Sequence, residues 1–245
     1  MNELVESIRE RYLQAQDNIA KAARSVGRDP SQVKLVVVTK TQPMEVVRAA
    51  IEAGISILGE NYPEEGVMKI QYMSGVSAVE WHMIGHVQSR KAQLVAQNFN
   101  FLHSLDSLKL AEKLDRACKE AGRMLAVLLE FNVGGEKSKS GWDASDESRW
   151  STLLDEVRAV IALPNLQVRG LMTMPPLGTT AEFSRPFFQK LKRLQETLRA
   201  QFPQADLSEL SMGTSADYEV AVQEGATFVR IGTSIVGARQ YKTEA

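Results

Sequence analysis

The chain has 245 residues, 44% of them apolar and 24% charged, with 29 basic against 30 acidic side chains and a formal net charge of −1. That balance speaks against a nucleic-acid or membrane-surface footprint, and no apolar run approaches the ~18 residues of a spanning helix. Cys118 is the only cysteine, which excludes an intrachain disulfide, and the acidic, amphipathic N-terminus does not read as a signal peptide, so a cytoplasmic protein is expected.

Residues 2–26 predict a helix, with Leu4, Ile8, Leu13, Ile19 and Ala23 among its spaced apolar positions and Gly27 and Pro30 ending it. Residues 1–30 are thus expected to be an extra helix packed on the rest of the chain. Residues 33–39 are an apolar, β-branched run of the kind buried on both faces of a parallel sheet. The run stops at Lys40, and Pro43 then suits the first turn of a helix over 43–53. The alternation continues with strands predicted at 56–58, 79–84, 99–104, 124–131, 166–173, 206–211 and 227–232. Helical patterns separate them, among them one from Asp106 carrying Leu110, Leu114, Ala117 and Ala121, and one from about 180 to 201. The Gly-, Ser- and Lys-rich stretch Asn132–Gly141 reads as a mobile polar loop.

Eight strands alternating with helices imply a parallel sheet, and at this length they imply one closed domain over 1–245, a (β/α)8 TIM barrel. An open doubly wound sheet is the rival, but its Gly-rich fingerprint is absent after Lys40. Lys40 therefore sits at the carboxyl end of a strand, where barrels bind ligands. By itself such a lysine is most often merely solvated. Partly desolvated at a barrel mouth, it could form a Schiff base.

Two turns bear on that choice. Ser211-Met212-Gly213-Thr214-Ser215 follows the seventh predicted strand, and Arg230-Ile231-Gly232-Thr233-Ser234 closes the eighth. Small residues there let backbone N–H groups approach an anion, and hydroxyls add donors. The loops after strands seven and eight are the recurrent phosphate site of this architecture, and closure sets strand eight beside strand one. An amine within reach of a phosphate cup is what a phosphorylated aldehyde cofactor requires.

The segments Val38-Thr39-Lys40-Thr41-Gln42-Pro43, Leu58-Gly59-Glu60-Asn61-Tyr62, Glu80-Trp81-His82-Met83-Ile84-Gly85-His86-Val87-Gln88-Ser89, Ser138-Lys139-Ser140-Gly141, Gly170-Leu171-Met172-Thr173-Met174, Leu210-Ser211-Met212-Gly213-Thr214-Ser215 and Val229-Arg230-Ile231-Gly232-Thr233 span almost the whole chain. In that order they resemble the pyridoxal-phosphate homeostasis protein family (YggS/PROSC-like), which is similar to the N-terminal barrel domain of alanine racemase. The resemblance implies that Lys40 holds pyridoxal 5′-phosphate (PLP) as a Schiff base. It implies that Ser211, Gly213, Thr214, Gly232 and Thr233 bind the phosphate, and that Arg230 meets either the ring nitrogen or the phosphate. Asn61, His82 and Met172 are expected to line the ring pocket. Pro63 departs from the family pattern and bears on the start of its helix rather than on the chemistry.

His82 and His86 lack the third ligand of a metal set, so no metal is expected. Lys137 and Lys139 read as solvated, with a lid or partner role as the sharper alternative. Two functional classes remain. One is a carrier that buffers PLP in vitamin B6 homeostasis and delivers it to apo-enzymes; the other is a small PLP-dependent amino-acid racemase. The chain ends thirteen residues after Gly232, so no β domain carrying a second base is expected. The carrier, as a monomer without substantial amino-acid turnover, is therefore the expectation.

Overall fold

In the computed structural model, which describes residues 3–76, 79–136, 138–176 and 178–238, the first element is helix α1 (Glu3–Ser25). Its apolar stripe, Val5, Ile8, Ala15, Ile19, Ala22 and Ala23, is buried. Helix α1 packs against α2 (Met44–Glu52), α8 (Tyr218–Gln223) and α9 (Thr233–Val236). The added helix thus lies across the seam where the two ends of the barrel meet.

The strands are β1 (Lys34–Val38), β2 (Ile57–Glu60), β3 (Glu80–Met83), β4 (Phe101–Leu105), β5 (Leu125–Asn132), β6 (Trp142–Asp143), β7 (Leu166–Met172), β8 (Glu209–Thr214) and β9 (Phe228–Ile231). All pairings are parallel. The order β4-β3-β2-β1-β9-β8-β7-β5 closes through β4 against β5, giving the expected eight-stranded barrel. The two-residue β6 is an addition on the end of β5 (Phe131 opposite Trp142), next to the stretch that the sequence marks as a mobile loop. Part of that loop is tied down. Asn132 accepts from the Gly135 N–H (2.9 Å) and donates to the Glu136 carbonyl (2.8 Å). Lys137 lies outside the described residues, as does the tail after residue 238.

Two apolar layers hold the wall, as the doubly buried strands require. A large outer one packs strands on helices and includes Leu35 and Val37. A small inner one fills the bore with Val36, Leu128, Met172 and Phe228, flanked by Ile57, Ile84 and Phe101. Successive residues of β1 thus alternate outward and inward, which continues upward to place Thr39 on the wall's outer side and Lys40 at the mouth.

One boundary matters for function. The seventh barrel strand, expected over 206–211, runs from Glu209 to Thr214. Gly213, expected in a turn, is a bulge residue with φ +90° and a register shift beside it. A Cβ there would lie 2.5 Å from Ala221 and 2.9 Å from the Tyr218 backbone, so only glycine lets α8 pack this close. Among the described residues, no helix is long and apolar enough to cross a membrane.

Candidate functional site

A cavity of about 530 Å³ opens at the carboxyl ends of the strands. Seven of the ten residues singled out from sequence line it: Lys40, Asn61, Met172, Thr214, Arg230, Gly232 and Thr233. Lys40 and the rim after β9 therefore share one space, because β1 and β9 are hydrogen-bonded neighbours. A Cβ at Gly232 would lie 3.2 Å from the Val38 carbonyl oxygen, so a small residue keeps these two rims together.

Lys40 occupies the second position of a tight turn closed by the Gln42 N–H donating to the Thr39 carbonyl (3.1 Å). The third position, Thr41, has φ +60°, where such turns favour glycine or asparagine. A β-branched residue in that region is strained by roughly 1–3 kcal/mol and persists only where its surroundings impose it. Lys69, on α3 (Pro63–Tyr72), is 1% exposed and donates to the Thr39 carbonyl (2.6 Å), to Glu60 (2.8 Å) and to Glu65 (2.6 Å). The same Glu65 oxygen accepts the Thr41 N–H (2.6 Å), and the Thr39 hydroxyl donates to Glu60 (2.6 Å).

Arg230 is 4% exposed and faces the cavity from β9. It donates to the Ser211 hydroxyl, to the Thr173 carbonyl (3.1 Å) and to the Met174 sulfur (2.9 Å). Burial pulls its pKa down to about 10, against the opposing charges of Glu130 and Asp217, so it stays protonated at neutral pH. Below it runs a side-chain chain along the bore. His103 Nδ1 meets Ser211 Oγ (2.8 Å), His103 Nε2 meets His82 Nδ1 (2.9 Å), and His82 Nε2 meets Glu80 (3.4 Å). Desolvation lowers the pKa of both imidazoles, His103 well below the usual value. Arginine can only donate, so the Ser211 proton points on to His103, and each neutral imidazole passes one N–H downward to end on the Glu80 carboxylate. The reverse order would set an imidazole lone pair against that carboxylate.

Three of the ten residues singled out from sequence stand back from the cavity lining. Ser211 is fully buried within β8, where its hydroxyl accepts from Arg230. His82 is likewise fully buried, stacked on Phe101 (ring centroids 5.1 Å apart) below the cavity rather than lining it. Gly213 serves helix packing and does not line the cavity. β8 extends three residues beyond its expected end, so Ser211 and Gly213 both lie within the strand and not in the turn after it. His82 is drawn inward by the alternation of β3.

Two features escape a reading of the sequence. Glu130 lines the cavity and is 9% exposed, its Oε2 has no hydrogen-bond partner, and its pKa is pushed up to about 7, chiefly by burial. Its signal is present, as the one carboxylate inside the apolar run Leu125–Phe131. The Lys69 cluster gives none, since a Glu65–Lys69 pair spaced by four reads as an exposed helix pair.

Residues 13–240 match the family described as alanine racemase, N-terminal domain. The chain is 42% identical over 218 residues to the pyridoxal phosphate homeostasis protein of Vibrio alginolyticus, covering 88% of this chain and 90% of that one. With the protein of the same name from Escherichia coli K12 it shares 40% identity over 233 residues, 93% and 95% of the two chains. PipY of Synechococcus elongatus PCC7942, solved with PLP bound, is 36% identical with a TM-score of 0.80, covering 94% of this chain and 100% of its own. An alanine racemase of Clostridium difficile 630 shares the fold at 16% identity (TM-score 0.68), with 98% of this chain lying on 58% of that one. A barrel with this seam, matched nearly end to end by these relatives, belongs to the pyridoxal phosphate homeostasis protein family.

Proposed function

We propose that this chain binds pyridoxal 5′-phosphate covalently through Lys40, holds it in reserve and delivers it to apo-enzymes, without substantial turnover of amino acids. The observation that carries this reading is that Lys40, Arg230 and the rim residues Thr214, Gly232 and Thr233 line one cavity. Its volume suits a small cofactor. The bound PLP in PipY and the names of the curated relatives support it.

The residues present fit the group. PLP supplies, when bound, an aldehyde reactive toward primary amines and an electron-withdrawing ring. Lys40 offers the amine from its tight turn. Ser215 and Thr233 present exposed hydroxyls at the rim for the phosphate, whereas the Thr214 N–H and hydroxyl are already engaged by Asp217 (2.7 and 3.2 Å). Arg230 brings donors only. Facing the phosphate it adds charge; facing the ring nitrogen it requires an unprotonated acceptor, which weakens the ring as an electron sink. The latter placement favours a carrier over an enzyme. Glu130 favours the second reading, a small racemase, because a carboxyl with a pKa near neutrality can take and return a proton.

Borohydride reduction of PLP-loaded protein followed by peptide mass mapping tests the first reading. The adduct is expected on Lys40 and is abolished by Lys40→Ala; its absence from Lys40 in the wild type overturns the assignment. Incubation with single enantiomers of several amino acids separates the two functions, since rapid racemisation of any one would reverse their order.

A further inference from the structure

The ion cluster on the outer side of the wall touches the backbone on both sides of the cofactor lysine. Lys69 reaches the carbonyl of Thr39, and Glu65 takes the N–H of Thr41. Lys40 lies between these two bonds. The pair therefore closes a bracket around one residue, with the Lys69 ammonium joining its two arms through Glu65. Glu60 fastens the bracket to the end of β2, both through Lys69 and through the Thr39 hydroxyl.

Stability is a poor account of this cluster. Taking an ammonium and a carboxylate wholly out of water costs about as much as their attraction returns, and an apolar replacement of similar volume often does as well. Lys69 and Glu60 are nevertheless 1% and 0% exposed. Nor does Thr41 gain locally: its φ is +60° and its buried hydroxyl has no hydrogen-bond partner. What the cluster does secure is the direction in which the chain leaves β1. Thr41 is held where glycine would ordinarily stand, and the turn keeps its shape because both of its flanks are pinned.

We propose that Lys69, Glu60 and Glu65 are positioning residues for Lys40: their hydrogen bonds clamp Thr39 and Thr41 so that the Lys40 amine is presented to a carbonyl compound in the cavity. This rests on the reading of Lys40 as the cofactor lysine. The clamp acts through the backbone, and its three side chains do not line the cavity. Misplacing a reacting group by about 1 Å can slow reaction by up to two orders of magnitude, so the effect is measurable without global unfolding.

Glu65 is the arm to cut, because its side chain is 22% exposed and its loss strands less charge than loss of Lys69. The test treats cofactor-free protein with limiting PLP, reduces with borohydride at intervals, and quantifies the adduct on Lys40 against that on the exposed Lys113 by peptide mass. In Glu65→Ala the initial rate at Lys40 relative to Lys113 is expected to fall roughly tenfold. Glu65→Gln, which keeps an acceptor oxygen for the Thr41 N–H, should restore most of it. Circular dichroism of each variant checks that it is folded. If Glu65→Ala does not fold, Glu65→Asp retains the charge beside Lys69 while drawing the oxygen back from Thr41, and an intermediate loss is expected. Wild-type selectivity for Lys40 in the folded variants overturns the proposal, and so does failure of Glu65→Gln to rescue. A wild type that shows no preference for Lys40 instead overturns the cofactor assignment, which keeps the two failures apart.

Discussion

On the outer side of the barrel wall two carboxyl groups meet an ammonium, while in the bore two imidazoles meet each other. Lys69 lies 2.8 Å from Glu60 and 2.6 Å from Glu65, so opposite charges replace the water they lost. Burial still pushes Glu60 up, and Lys69 is the main influence opposing it. Among the described residues, His82 and His103 have no buried counter-ion at comparable distance. They shed their protons instead, and the chain from Arg230 to Glu80 carries charge only at its ends. Partner distance, more than depth of burial, decides which solution a polar group adopts.

Removing the ammonium attacks this contrast most directly. Lys69→Met leaves Glu60 and Glu65 without their counter-charge, and urea unfolding at pH 7 should show a loss of about 3–5 kcal/mol. Without Lys69 the Glu60 pKa climbs further. A folded-state carboxyl pKa raised above its unfolded value means stability falls as pH rises through that range, so the loss should be larger at pH 8 than at pH 5. An unchanged unfolding midpoint would show that the pairing distances do not govern this cluster.

Glu130 is the intermediate case, a buried carboxyl whose second oxygen has no partner. Its folded pKa near 7 lies above the ordinary 4.5, so it destabilises the fold progressively from about pH 4.5 and fully above pH 7. Glu130→Gln should therefore be more stable than wild type at pH 8, by at most roughly 3 kcal/mol, with the advantage fading by pH 4.5. Thermal melts of both proteins across that range measure it; a constant offset would mean the carboxyl is already satisfied.

The smallest effect concerns the imidazoles. Their folded pKa values lie below 6.5, so the unfolded state takes up protons first and stability falls as pH drops below about 6.5. His103→Phe removes one such group and leaves His82 Nδ1 without its partner, costing about 1–2 kcal/mol at pH 8. It should also flatten the acid limb of the stability profile, as read by denaturant midpoints at several pH values. An acid limb as steep as the wild type's would assign it to other groups.

Much of this architecture is legible along the chain. The apolar run ending at Lys40 has its residues on both faces of the wall buried, and the Gly-Thr segment after the last strand lines the cavity. The sequence ends this strand at Ser211, because a glycine two residues on suggests a turn, whereas β8 runs on to Thr214. Gly213 is a bulge inside β8, and a bulge looks like a terminator until its partner strand is known. Lys69 and Glu65 look like any solvated helix pair, and only docking of α3 on β2 buries Lys69 and makes the pair a clamp.

The order of apolar runs and helical stripes in this chain sufficed for the barrel and for Lys40 at its mouth, because side-chain periodicity is a local property written along the chain. Tertiary structure decided which polar groups are buried, which are partnered and which titrate abnormally. Those depend on distances between residues far apart in sequence, such as Lys69 to Thr39 or Arg230 to Ser211, and such distances exist only once the cylinder has closed.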